Sequence, residues 1–575
     1  MAHTSQIVVL VCLFGVTLAN YYLKPLSYTK LPATHTTSET FKLFGGTAEE
    51  GAYDPIKKML YVVGETSRLL HILDVSDPVN PVRVLTHQFS TAEGRPRDIA
   101  LCGDEIAVAL TSGIRDVYEG HVYFFKTFSK GDTALQPDGS RLPVGSYPDM
   151  LTYTSDCLEL LVANEGKPGR DINNKFVDPP GTVQIIRRER TGSPSEKIAD
   201  FLQFNNRYDI RIPGRYIPAG TWPLPDQITV AQGLEPEYIA ITPDTRYAFI
   251  TLQENNAIAK LSVADGVITD IWPLAPKEWR DIGIDSTDRD GGIHLRQYPW
   301  VSLQQPDMAK VFTLGRKTFL FTANEGAPTT YTSSVHGFNW ADNARSDALV
   351  RAKKFDEGRI NNATFYKDLA LESMAGYLTV SNIDYFNQFT DKLEKVTHFG
   401  GRGFSIWDTT DMSLVWDSGD EIEKNMELLM YNVFNSDIVS STITYTSPEN
   451  LRDTTSDLMG PKLNGMDLLI QKNGSDFLLV GSETVGALFL YTINSTSGTP
   501  IPRFESAHRA GRTDFVWKEL YDMDEAGDAH ISAIGLISAA DSPNNNAMAY
   551  VISDASGSVS LYSIEKHSNP DFIFG

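Results

Sequence analysis

One pattern recurs along this chain and restricts its fold more than any other feature. A short strand opens beside a proline, turns, and is followed by an apolar strand that ends in a carboxylate. Gln305-Pro306-Asp307-Met308 opens one such strand, and Phe319 to Ala323 makes the next, ending in Asn324-Glu325-Gly326. Tyr147-Pro148-Asp149 and Asn164-Glu165-Gly166 bracket another copy, and Glu235-Pro236-Glu237 and Gln253-Glu254-Asn255 a third. Arg95-Pro96-Arg97 opens a fourth, and Met59 to Val63 runs into Gly64-Glu65-Thr66. Blurred copies late in the chain end in Ser482-Glu483-Thr484 and Ser553-Asp554-Ala555.

Self-similarity of this kind, in units of roughly 40–50 residues built from short strands, is how propeller blades read in sequence. The chain is therefore expected to be all-β, an approximately seven-bladed β-propeller of WD40/YVTN type; the alternative is a β-sandwich or two separate sheets. A propeller must close on itself to leave no open edge. Phe41 to Phe44 is the stretch expected to supply the missing outer strand of the last blade. Two long stretches interrupt the repeat, near 327–400 and 421–459. The first contains helix-like runs at Asn343 to Phe355 and Thr364 to Tyr377. Both are expected to be excursions from one domain spanning 20–575.

Residues 1–19 read as a secretory signal, with an apolar run from Ile7 to Val16 and a small-residue cleavage site after Ala19. An N-terminal anchor is the alternative, but a span needs about 20 apolar residues. No later stretch is long and apolar enough to span, and the C-terminus carries no hydrophobic tail of the lipid-anchor kind. The net charge of −23 argues against nucleic acid and anionic membranes. It suits contact with cations or mineral, or plain solubility. Cleavage would remove Cys12 and leave Cys102 and Cys157, which a secreted protein can either pair or keep free. Asn362, Asn473 and Asn494 stand in N-x-[ST] acceptors.

Blade geometry places the start of each first strand next to the end of its second. Asp149, Glu235, Glu237 and Asp307 should therefore gather at one mouth with Glu65, Glu165, Glu254, Glu325, Glu483 and Asp554. Carboxylates this close repel unless cations or N–H groups compensate. One reading is a Ca²⁺ site, with Asp149, Glu165, Asp307 and Glu325 as candidate ligands, because calcium takes several oxygen ligands. The other is that the carboxylates only lock blades together. Asp285, Asp288 and Asp290, followed by Gly291-Gly292, form the sharpest local acidic motif. It is not an EF-hand, since Gln297 stands where a bidentate Glu is needed. It reads either as an Asp-rich calcium turn or as a loop held by its own side-chain hydrogen bonds. No HxH, HExxH, Gly-x-Ser-x-Gly or phosphate-cradling loop is present, so no catalytic residues and no organic cofactor are assigned.

LLVANEGKPGRD (160–171), EPEYIAITPD (235–244), ITLQENNAIA (250–259), IDSTDRDGGI (284–293), QPDMAKV (305–311), FTANEG (321–326) and FSIWDTTDMSLVWDSGDEIE (404–423) together resemble the choice-of-anchor I family. Its animal members include mesenchyme-specific cell surface glycoproteins of biomineralising cells, and its bacterial members are often labelled alkaline phosphatase-like. The resemblance implies a seven-bladed propeller-like fold, an extracellular location and a link to calcified matrix. The implied partners are calcium or mineral and extracellular proteins. It carries no catalytic residues onto this chain. Gly460-Pro461-Lys462-Leu463-Asn464-Gly465 stands where the family pattern leads one to expect Gly-Pro-Glu-Pro-Glu-Gly. AHISAIG (529–535) stands where Pro-Glu-Gly is expected, and Ala327 replaces an acidic residue. These departures imply a thinner acidic ring on the late-blade side. They also make a metal-dependent phosphoesterase the rival to a non-enzymatic matrix or cell-surface protein, not the leading reading.

Overall fold

The computed structural model describes residues 20–35, 38–139, 141–188, 194–218, 228–333, 338–438, 444–472 and 474–567. Seven four-stranded antiparallel sheets follow one another along the chain. Blade 1 is Glu50–Asp54, Met59–Gly64, Leu69–Asp74 and Val82–Gln88, and blade 2 starts at Pro96–Cys102. The first strands of blades 3, 4, 5 and 6 are Pro148–Tyr153, Ile239–Ile241, Pro306–Leu314 and Leu463–Leu469. Blade 7 combines Ile531–Ile537, Met548–Ser553 and Ser558–Lys566 with Tyr21–Lys30 from the opposite end of the chain.

The middle strands explain the apolar runs in the sequence. Met59–Gly64 and Leu69–Asp74 are buried along their whole length, because each blade is covered by a neighbour on both faces. The outermost strand Val82–Gln88 is exposed at both ends and mostly half-buried between them, with Thr86 alone buried.

Closure differs from the sequence expectation. Phe41 is 45 % exposed and Phe44 lies in a turn, while Tyr21–Lys30 pairs with Ser558–Lys566. The stretch YYLKPLSYTK looks polar by composition, yet it buries Leu23 and sets Tyr21 edge-on against Phe477 at 4.9 Å. Apolar contacts at the alternate positions Tyr21 and Leu23 are enough for an outer strand, which is solvated on one side.

The insertions are less helical than expected. Asn343–Arg345 is a strand and only Ser346–Arg351 beyond it is helical; the second expected helix reduces to Ala363–Asp368. A five-stranded sheet joins Lys277–Glu278, Val301–Ser302, Thr397–His398, Thr379–Ser381 and Asn343–Arg345. It rests on a separate aromatic core that includes Trp279, Trp300, Tyr298 and Phe365. The later insertion begins with the helix Glu421–Leu429.

Cys102, closing the first strand of blade 2, is bonded to Cys157 in the first turn of blade 3, with Cα atoms 5.6 Å apart. Asn362 and Asn494 are exposed, and Asn362 Oδ1 caps the helix Ala363–Asp368 through Phe365 N at 3.0 Å. Residues 1–19 and Asn473 lie outside the described residues. Among the described residues no helix is long and apolar enough to cross a membrane.

Candidate functional site

Two local devices aim side chains at the propeller axis. The first is a bulge near the start of the first strand, seen after Pro96, Pro148, Pro306, Leu463 and Ile531. The extra residue turns its side chain inward, so Arg97, Asp149, Asp307, Asn464 and Ser532 all line an axial cavity of about 240 Å³. The second is the glycine after the terminal carboxylate. Gly166 and Gly326 adopt φ of +73° and +97°, where a Cβ would stand 2.8 Å from Gly181 N and 2.8 Å from Gly400 Cα. The chain turns sharply there and leaves Glu165 and Glu325 facing the mouth.

The cavity is also lined by Glu49, Glu50, Asp98, Glu237, His530 and Asp554. A second space of about 360 Å³ shares Glu50, Asp98, Met150, Tyr238 and Met308 with it and carries the channel on towards Lys310 and Asp467. Acid is concentrated at the first space, and Lys310 pairs with Asp467 at 3.1 Å in the second.

Several of these carboxylates have cations of the chain's own. Glu65 takes Arg97 Nη1 at 2.6 Å and Arg95 Nε at 3.1 Å, and Arg97 Nε also reaches Asp149 at 3.1 Å. Lys167 Nζ is 2.7 Å from Glu165. Lys462 Nζ sits between Glu325 at 2.8 Å and Glu483 at 2.9 Å, and Glu325 also accepts from Gln253 Nε2 at 2.6 Å. His530 bridges Glu483 at 2.7 Å and Asp554 at 3.4 Å. Burial opposes the charge on Glu483, but Lys462 and His530 outweigh it and hold the carboxyl well below its ordinary range. Burial likewise opposes protonation of His530, yet Glu483 and Asp554 hold the imidazolium up to about 10.

For other carboxyls at the mouth, burial and neighbouring carboxylates outweigh the nearby cations and raise them. Burial, then the nearby Glu254 and Glu165, raise Glu235 well above the usual range. Burial, then Glu254 and Asp307, do the same for Glu237. Burial and Glu165 push Glu254 up to about 7, and burial and Asp554 push Glu49 up to about 8. Asp307 is raised by burial, then by Glu325 and Asp149. Carboxylate oxygens of Glu237 and Glu254 are fully covered without a hydrogen-bond partner.

Of the residues singled out from sequence, Asp149, Glu165, Asp307 and Glu325 are therefore brought to one mouth. Asp285, Asp288 and Asp290 do not line the axial cavity. Asp285 is buried and accepts from His294 N at 2.9 Å, and Asp290 pairs with Arg296 at 2.7 Å. Burial, then Asp453, raises Asp285 to about 8. Burial raises Asp453 to about 6, with Asp290 and Asp288 adding to it, and raises Asp457 to about 6, with Asp288 adding to it. The turn thus faces two aspartates of the later insertion that sequence spacing gave no reason to connect. Among the described residues, no three His, Cys, Asp or Glu side chains are already drawn together as a metal-ligand set.

The counter-ions were the larger omission. The signal lay in the aligned openings: Arg95, Glu235, Gln305, Lys462 and His530 all stand two residues before the inward-turned position. Reading that column would have shown the cations Arg95, Lys462 and His530.

Comparison with known proteins adds relationship. Mesenchyme-specific cell surface glycoprotein of Strongylocentrotus purpuratus is 28 % identical over 659 aligned positions, covering 85 % of this chain and 83 % of that protein. Gigasin-3a of Magallana gigas is 28 % identical over 181 residues, 31 % of this chain and 60 % of that protein. Among solved structures, Kuenenia stuttgartiensis hydrazine synthase superimposes with a TM-score of 0.42 at 10 % identity, over 94 % of this chain and 99 % of that one. The β-propeller domain of Cps50 (Swd1) from Myceliophteria thermophila gives 0.38 at 8 % identity, over 95 % and 100 %. The choice-of-anchor I domain matches residues 49–496, which takes in the strands of blades 1 to 5 and most of blade 6. The chain belongs to the choice-of-anchor I family.

Proposed function

We propose that this protein is an extracellular glycoprotein of the cell surface or matrix that takes up calcium at the mouth of its propeller and does no covalent chemistry there. The observation that carries this reading is the surplus of carboxyls over internal cations at the mouth, with covered oxygens of Glu237 and Glu254 left without a donor. Oxygen-only donors of this kind suit a hard cation, and extracellular modules commonly bind calcium at about 10⁻⁴–10⁻³ M. The Cys102–Cys157 bond and the exposed Asn362 and Asn494 acceptors support an oxidising, glycosylating compartment. The Strongylocentrotus purpuratus relative, a mesenchyme-specific cell surface glycoprotein, points the same way.

The phosphoesterase rival draws less support. His398 is buried beside Arg402 and pushed down to about 3, and His530 is already engaged by two carboxylates. Neither is poised to serve a nucleophile. Melting the purified protein in calcium, in magnesium and in chelator tests the proposal. Calcium should raise the midpoint, by mass action worth ~2.7 kcal/mol at a hundredfold excess over Kd. Identical curves in all three conditions would remove calcium from the reading. Turnover of a generic phosphomonoester, lost in Glu165→Gln, would replace it with the rival.

A further inference from the structure

The face opposite the mouth carries the reverse charge at one seam. Blades 4 and 5 meet there around an open cleft of about 670 Å³, lined by Arg246, Lys260, Arg316 and Lys317 and by one carboxylate, Asp244. A chain of net charge −23 would on average place more acid than base in such a space. The turns account for the exception. Leu314 pairs with Lys317, and Gly315, at a φ of +62°, forms a two-residue hairpin loop with Arg316 between them. Arg316 and Lys317 are exposed at its tip. In blade 4, Asp244 accepts from Thr242 Oγ1 at 2.7 Å and from Arg246 Nε at 2.6 Å, so its charge is offset within its own turn. Two acids just outside the cleft are engaged in the same way: Asp408 accepts from Thr410 N at 2.9 Å, and Asp411 from Ser413 N at 3.0 Å. Lys260 Nζ lies over the Tyr247 ring, 4.2 Å from its centroid. Among the described residues no carboxylate forms an ion pair with Lys260, Arg316 or Lys317.

We propose that this cleft binds a sulfated polysaccharide. A lone small anion needs donors that converge on one point. Here the cleft is open, and its unpaired cations stand on two different blades. A chain that repeats its charges can meet both sides at once. The planar fork of Arg316 suits two oxygens of one sulfate group. The exposed hydroxyls of Thr313 and Thr410 on the lining can donate to and accept from sugar hydroxyls. The acidity of the whole chain does not oppose this. The mouth lies a strand's length away, about 20 Å, well beyond a Debye length of about 8 Å. The inference goes beyond the calcium reading and does not depend on it.

The test is calorimetric titration of the purified full chain with a heparin octasaccharide in chelator, at about 50 and about 200 mM salt. The expected result is saturable binding that weakens about tenfold or more at the higher salt. Arg316→Gln with Lys317→Gln should weaken it about tenfold or more while keeping the parent's melting midpoint. Lys260→Gln should weaken it independently, and decides alone should the hairpin pair not fold. Lys353→Gln with Lys472→Gln removes the same charge from exposed positions elsewhere and should leave binding intact. Equal loss in the two pairs would mean that only net charge is read, and overturns the site. Equal affinity for the desulfated octasaccharide, for sodium sulfate or for polyglutamate overturns the ligand class. No binding to the parent chain at the lower salt overturns the proposal outright. Because calcium is withheld throughout, that failure leaves the calcium reading standing.

Discussion

The Lys462 ammonium lies 2.8 Å from Glu325 Oε1 and ties the opening of blade 6 to the end of blade 5's second strand. It also reaches Glu483 at 2.9 Å, so one positive charge holds two largely covered carboxylates. Removing one member of a buried pair strands the other. Lys462→Met should therefore cost ~3 kcal/mol, read as a lower guanidinium midpoint at pH 7.5. Lys462→Glu should cost more and recover most in calcium. An unchanged midpoint for Lys462→Met would mean that Lys462 does not stabilise the ring.

Stability should fall as the solution becomes more alkaline. Burial raises Asp98 to about 6, Glu254 to about 7 and Glu49 to about 8. A raised folded value means that the native state binds more protons than the unfolded chain in the interval between the two. The contribution is then complete below the ordinary carboxylate range and is lost as pH climbs through 6 to 8. His530 acts in the same sense: its contribution is complete below about 6.5 and disappears towards about 10. Glu483 opposes them only in acid, since its depressed value makes its contribution present above the ordinary range and lost beneath it. In chelator the melting temperature should drop between pH 5.5 and 8.5, and calcium should flatten that slope. A rise over the same interval would contradict the protonated state of these carboxyls.

Arg402 is fully buried and holds three segments at once. Nη1 donates to Asp285 O at 2.8 Å and to Glu423 Oε1 at 2.7 Å, and Nη2 donates to Ser456 O at 2.6 Å. Lysine cannot reproduce a planar fork of donors. Arg402→Met and Arg402→Lys should each lose about 3–5 kcal/mol, and limited proteolysis should first open the chain within 421–459. Cleavage elsewhere, with that stretch intact, would show that the guanidinium is not what fastens the insertion.

The Cys102–Cys157 bond closes a loop with a sequence separation of 55 residues. Loop-closure entropy puts its value at about 4 kcal/mol. Cys102→Ala with Cys157→Ala, or addition of reductant, should lower the melting temperature without altering the far-ultraviolet spectrum at 25 °C. An unaltered melting temperature would show that the unfolded chain gains nothing by its release.

Much of the ring was readable because its signals are local. Met59–Gly64 and the strands like it are uniformly apolar, and Asn-Glu-Gly marks the same corner twice, at 164–166 and 324–326. The mouth was half readable for the same reason: Asp149, Glu165, Asp307 and Glu325 sit at fixed places in the repeat. What escaped was non-local. Lys462 meets Glu325, and His530 meets Glu483, only once blades 5, 6 and 7 are side by side. Asp453 and Asp457 meet the Asp285 turn only through an insertion that has no repeat to align. The closing strand escaped because Tyr21–Lys30 buries little and takes its partner from the far end of the sequence.

That partnership has a consequence for biogenesis. Tyr21–Lys30 is made more than 500 residues before its partner Ser558–Lys566. At ~5–20 residues per second, the first strand waits on the order of half a minute to two minutes for its mate. Throughout that interval it is an unpaired edge. Lys24, Pro25 and Lys30 are suited to such a wait: charge and a missing N–H discourage pairing with strangers. The register step between Pro25 and Ser27 is then the residue of a safeguard that matters before the protein is finished.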